Sequence, residues 1–220
     1  SRDGADMLLT IAESSAGAAD GGSVRLVDQA ESGKFQTGVE WLEFADGTRW
    51  NQQQLREQMF ATAMTPGDDR ITGSNMDDRL QGGQGDDYLN GSYGNDLYIY
   101  ARGDGHDTIE ESSFRGTDDR LWLKDITASQ VTVSRDGADM LLTIAESSAG
   151  AADGGSVRLV DQAESGKFQT GVEWVDFANG LSWNTSMLSE SSVPEDCSFF
   201  TTPPEITQGY EAMYLSHDLI

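Results

Sequence analysis

The chain has 220 residues, long enough for one extended domain or two compact ones. Its 38 acidic against 14 basic residues give a formal charge of -24, which sets aside nucleic acid and anionic membranes as partners. A single cysteine, Cys197, excludes an intrachain disulfide framework, the two histidines His106 and His217 are too few for a usual zinc site, and no apolar run is long enough to span a membrane.

From the first residue, Ser1 to Trp41 recurs unchanged as Ser134 to Trp174, and likeness continues through Phe44/Phe177, Gly47/Gly180 and Trp50/Trp183. Identity over 41 residues is not imposed by physics and records a copying event, so the chain is expected to be a cut from a longer tandem array whose natural start is not Ser1. Each copy reads as all-β. In the second, Val131 to Val133 and Met140 to Ile144 flank Asp136-Gly137, a hairpin signal, and Val157 to Val160 alternates as a strand. Val172 to Phe177 and Leu181 to Trp183 flank Asn179-Gly180, where the first copy has Asp46-Gly47. The first copy lacks the leading strands that precede the second, around Leu121 to Leu123 and Val131 to Val133. It is expected either to be looser or to borrow a strand edge, including that of another molecule, so self-association is expected there. Trp41, Trp50, Trp174 and Trp183 read as core packing rather than as a glycan-stacking platform.

Asn51 to Met64 has helical periodicity, with Leu55, Met59, Phe60, Ala63 and Met64 on one face, Asn51 as the cap and Pro66 as the stop. The helix is expected to cover the open end of the segment that follows; the alternative is a partner-binding helix.

That segment, from Thr65 to Leu121, repeats in nines on the pattern G-G-x-G-x-D-x-U-x, where U is a large apolar residue. Gly82 to Asn90 obeys it fully, Gly91 to Ile99 departs only at Ser92, and Gly73 to Gln81 carries Met76 where a glycine belongs. The copy before keeps Gly67, Asp69 and Ile71; after two extra residues Gly103, Gly105, Asp107 and Ile109 restore the pattern, and a degraded turn keeps Asp119 and Leu121. Such a nonapeptide marks a parallel β-roll that binds calcium. Glycine permits the tight turn whose carbonyls face an ion, aspartate offers a hard anionic oxygen, and the apolar residue two places later points into the core. Two nonapeptides make one coil, which stacks Asp69 over Asp87, Asp78 over Asp96, and Asp87 over Asp107. Carboxylates so placed repel unless a cation lies between them, and Ca2+ suits this better than Mg2+, which demands a smaller octahedron. The expected metal-site residues are Asp69, Asp78, Asp87, Asp96, Asp107 and Asp119, with Gly67, Gly73, Gly82, Gly83, Gly85, Gly91, Gly94, Gly103 and Gly105 shaping the turns. Asp68, Asp77 and Asp86, one place earlier, read as solubilising surface charge.

The repeats resemble the haemolysin-type calcium-binding repeats of the RTX (repeats-in-toxin) family, and Gly103 to Gly180 resembles the β-rich domain that often follows them. The resemblance implies calcium-dependent folding, export by a type I secretion machinery of Gram-negative bacteria and an extracellular or cell-surface place of work. It implies no single activity. The expected fold is all-β: a parallel β-roll flanked by antiparallel hairpin caps, with one short helix. Its expected divisions are a truncated cap over 1–50, the helix over 51–64, the roll over 65–121, a second cap over 122–188 and an irregular tail over 189–220. The tail ends Asp218-Leu219-Ile220; it resembles a type I secretion signal weakly, and a disordered terminus or the start of another module fits equally. No phosphate-binding loop, dinucleotide fingerprint or convergent catalytic set is present, so the chain reads as a non-catalytic calcium-binding module. The alternative is a carbohydrate-binding accessory module of a secreted polysaccharide-acting enzyme.

Overall fold

A computed structural model describes residues 2–3, 6–26, 39–111, 116–163 and 171–184. The tail expected over 189–220, with Cys197 and His217, lies outside the described residues. In chain order the elements are β1 (Arg2–Asp3), β2 (Asp6–Ile11), β3 (Gly22–Leu26), β4 (Trp41–Glu43), β5 (Arg49–Asn51) and the helix α1 (Gln52–Ala63). The nonapeptides supply β6 (Arg70–Thr72), β7 (Arg79–Gln81), β8 (Tyr88–Asn90), β9 (Leu97–Tyr100), β10 (His106–Ile109) and β11 (Arg120–Leu123). After a single 3-10 turn come β12 (Val131–Asp136), β13 (Asp139–Ile144), β14 (Gly155–Leu159), β15 (Trp174–Phe177) and β16 (Ser182–Asn184). The described chain is thus mostly β with one α-helix.

Successive short strands of the repeats alternate between two sheets. One runs β12-β13-β14-β10-β8-β6 and the other β16-β15-β11-β9-β7. Strands β6, β8 and β10 pair in parallel, as do β7, β9 and β11, because each repeat crosses to the opposite sheet before the next returns. A nine-residue period sends the apolar position of every strand inward, so Ile71, Leu80, Leu89, Tyr98, Ile109 and Leu121 fill one core between the sheets. The second copy prolongs both sheets: β14 adds to β10 and β15 to β11, again in parallel, before each turns antiparallel into its hairpin.

Helix α1 starts with a capping box in which Asn51 and Gln54 satisfy each other's backbone N–H groups. Its buried residues are Leu55, Arg56, Met59 and Phe60. Ala63 and Met64, expected on that face, are exposed, because the helix ends at Ala63 and the chain turns away to enter the first repeat.

The two copies share a sequence but not an environment. In the first, Ile11, Val24 and Val39 are 50%, 44% and 37% exposed; their counterparts Ile144, Val157 and Val172 are 3%, 0% and 1% exposed. The difference lies in the neighbours. Strand β14 is held between β13 and β10, whereas β3 pairs with β2 alone within a separate sheet of β1, β2 and β3. Trp183 packs edge-on against Phe177 in the core, as Phe44 does against a half-buried Trp50. Trp174 lies half-buried below the Arg120 guanidinium. Trp41 departs from the core-packing expectation at 60% exposure, since its copy meets no roll strand.

This asymmetry sets up a comparison at one residue type in one local sequence. Val157→Asp should cost about 3 kcal/mol or more in denaturant unfolding, and Val24→Asp should stay within about 0.5 kcal/mol. Equal costs would contradict the burial described here.

Candidate metal centre

The nonapeptide builds its site through two glycine positions and one aspartate. A Cβ at the first glycine, Gly82 or Gly91, would overlap the carboxylate of that repeat's own aspartate, Asp87 or Asp96. The missing side chain is the space into which the carboxylate folds. At the fourth position Gly85, Gly94 and Gly105 have φ of +129°, +120° and +108°, and a Cβ there would strike the backbone of the preceding coil at Gly67, Met76 and Gly85. Glycine is needed twice over, for the left-handed backbone and for close stacking of coils. Ser92 takes φ +76° where Gly83 has +95°, so the one substitution in its repeat keeps the turn at some strain. Gly73 is packed against the backbone of Gly91, whereas Gly67 and Gly103 face open surroundings.

The aspartates form two columns. In the first, Asp69 N–H donates to Asp87 Oδ1 at 2.7 Å and Asp87 N–H to Asp107 Oδ1 at 3.2 Å. In the second, Asp78 N–H donates to Asp96 Oδ1 at 2.8 Å and Asp96 N–H to Asp119 Oδ1 at 2.7 Å. The second column is closed at both ends from outside the repeats. Arg56 of α1 reaches Asp78 Oδ1 at 3.2 Å, with both side chains buried, and Asp119 N–H donates to Glu173 Oε2 at 2.6 Å. At the start of the first column, Asp69 accepts from Thr65 N–H at 2.6 Å.

Each ladder bond uses one carboxylate oxygen and leaves the other. Asp87 Oδ2, Asp96 Oδ2 and Glu111 Oε2 are buried without a hydrogen-bond partner. Burial of so many like charges drives their acidity down. Desolvation pushes Asp96 up to about 9, Asp107 to about 8 and Asp119 to about 7, with neighbouring carboxylates adding to each shift. Desolvation likewise raises Asp87, and it raises Asp78 despite the Arg56 guanidinium beside it. Stacked carboxylates with an orphaned, buried oxygen in each column are a hard anionic donor set that fits a calcium ion.

Sequence reasoning missed three further acids. Asp104 is buried, accepts Ala101 N–H at 2.8 Å and is raised by desolvation to about 6. Glu111 lies against the Tyr98 hydroxyl and is raised to about 8, first by desolvation. Glu173 has the second copy's sequence and only its docking places it over Asp119. The residues read as solubilising charge have another use. Asp68, Asp77 and Asp86 accept from the N–H of Asp86, Asn95 and His106 at 2.9, 2.9 and 3.0 Å. A second ladder thus binds coil to coil along the outer edge. Their recurrence one place before each column aspartate was the signal for it.

Because burial favours the protonated carboxyls, the fold holds protons more tightly than the unfolded chain does. Without calcium the stability these three carboxyls contribute is therefore fully present below the ordinary carboxylate value of 3.8 and is lost as pH climbs through about 7 to about 9. In chelator, the denaturation midpoint should be higher at pH 5 than at pH 8; the reverse order would contradict the electrostatics described.

Residues 65–98 and 72–109 match the family model of the RTX calcium-binding nonapeptide repeat, a unit of four copies. No curated protein matches the chain. The matched stretch carries the two columns as far as Asp107, and RTX repeats of this kind bind Ca2+.

Proposed function

We propose that residues 65–121 are a calcium-binding parallel β-roll in a secreted, repetitive bacterial protein of adhesin or toxin type. On this reading Asp69, Asp78, Asp87, Asp96, Asp107 and Asp119 hold the ions, and the glycines of each turn bring backbone carbonyls toward them. Residues 1–50 and 122–188 are caps, and the module is non-catalytic. The chain leaves the cell unfolded through a type I secretion machinery and coils outside, where sites of about 10⁻⁴ to 10⁻³ M affinity fill. Metal binding then supplies part of the folding free energy.

The observation that carries this reading is the pair of aspartate columns, which stack carboxylates coil upon coil and leave one buried oxygen in each, Asp87 Oδ2 and Asp96 Oδ2, without a partner. Mutual repulsion makes such columns unfavourable at neutral pH until cations join them.

Calcium titration followed by circular dichroism should show β structure appearing cooperatively. Asp87→Asn, which removes one carboxylate from the middle of the first column, should move the midpoint to higher calcium by roughly tenfold. A spectrum that does not respond to calcium would overturn the proposal.

A further inference from the structure

We propose that the first copy carries a docking face for the last coil of a nonapeptide β-roll in a second molecule, seated as β14 and β15 seat on β10 and β11. The inference rests on the reading of residues 1–50 as a cap and names what that cap covers.

The second copy, identical in sequence, shows what these residues bind. Strand β14 pairs in parallel with β10, Val157 opposite Asp107, and Val157 is fully buried there. Gly155 lies so close that a Cβ would overlap the Gly105 carbonyl and the Tyr100 hydroxyl, and the Ser156 hydroxyl meets His106 Nδ1 at 2.9 Å. On the other sheet Glu173 accepts the Asp119 N–H, and Trp174 lies below the Arg120 guanidinium. Two hairpins thus grip both strands of one coil.

The first copy holds the counterparts of all these groups, Gly22, Ser23, Val24, Glu40 and Trp41, and each is exposed. A Cβ at Gly22 would meet nothing within 4 Å, where the same glycine of the second copy touches a backbone carbonyl. Met7 and Leu26, paired at one end of β2 and β3, are already buried; Ile11, Val24 and Trp41 make up the exposed apolar surface.

The roll of the same chain does not fill this face, because the second copy covers its last coil. The chemistry of the partner follows from what the second copy grips. It is a parallel strand edge with apolar residues turned inward, an aspartate N–H for Glu40 and a guanidinium to lie over Trp41. Main-chain pairing supplies the attraction, and the inward valine fixes the register.

An acceptor for this face is the full chain carrying Gly22→Ala and Val157→Asp, in calcium: its second copy is unseated and its own first copy is blocked. Sedimentation of the acceptor mixed with the wild-type chain should show a one-to-one complex. Gly22→Ala in the wild-type donor should leave the donor's thermal midpoint unchanged, since the Cβ enters open space. It should nevertheless weaken the complex by roughly tenfold or more, since docking drives that Cβ into a carbonyl. If circular dichroism shows that Val157→Asp does not fold in calcium, Gly155→Ala replaces it, blocking the seat without burying a charge. No complex, or a complex indifferent to Gly22→Ala in the donor, overturns the proposal. So does a wild-type chain that dimerises alone, because the occupant would then be β3 of another copy. A wild-type chain that gains no β structure in calcium fails differently, since it overturns the reading of the roll itself.

Discussion

Like charges brought together out of water are the constraint on which this molecule turns. Coil stacking buries carboxylates in columns, and each coil added places another acid above the last. The backbone N–H groups of the columns offset part of the cost by donating to one oxygen of each carboxylate. The remainder falls to protons or to metal, since one oxygen in several of these groups has nothing else to bind. On the proposed reading, proton and calcium ion compete for the same oxygens.

The two ends of the second column meet this electrostatic problem in opposite ways. At the start, the helix lends a buried guanidinium to Asp78 and packs its Leu55, Met59 and Phe60 against the core. At the finish, the second copy closes both sheets with main-chain pairing and sets Glu173 beside Asp119 as one more acid. The roll is thus apolar between its sheets and anionic along its turns, and its two ends differ in charge.

The duplicated segments separate local from tertiary causes. Identical residues form the same hairpin in both places, β2 with β3 and β13 with β14, because alternation and turn chemistry are local. Whether Val24 or Val157 is buried depends on a roll strand lying alongside. No residue within the segment encodes that strand.

The period of nine was sufficient to specify the inward apolar positions, the glycine turns, the coil-on-coil spacing of the aspartates and the preference for a hard cation. Each of these follows from backbone geometry over a few residues. Asn51 as a cap and the hairpin turns at Gly47, Gly137 and Gly180 were legible for the same reason. The sequence did not disclose that Arg56 enters the core, that Asp68, Asp77 and Asp86 tie the coils together, or that Glu111 crosses from the opposite sheet to meet Asp96 and Asp119. Those placements arise from parallel stacking and from docking of distant segments. Periodicity determines which way a side chain points; only the assembled sheets determine what it meets.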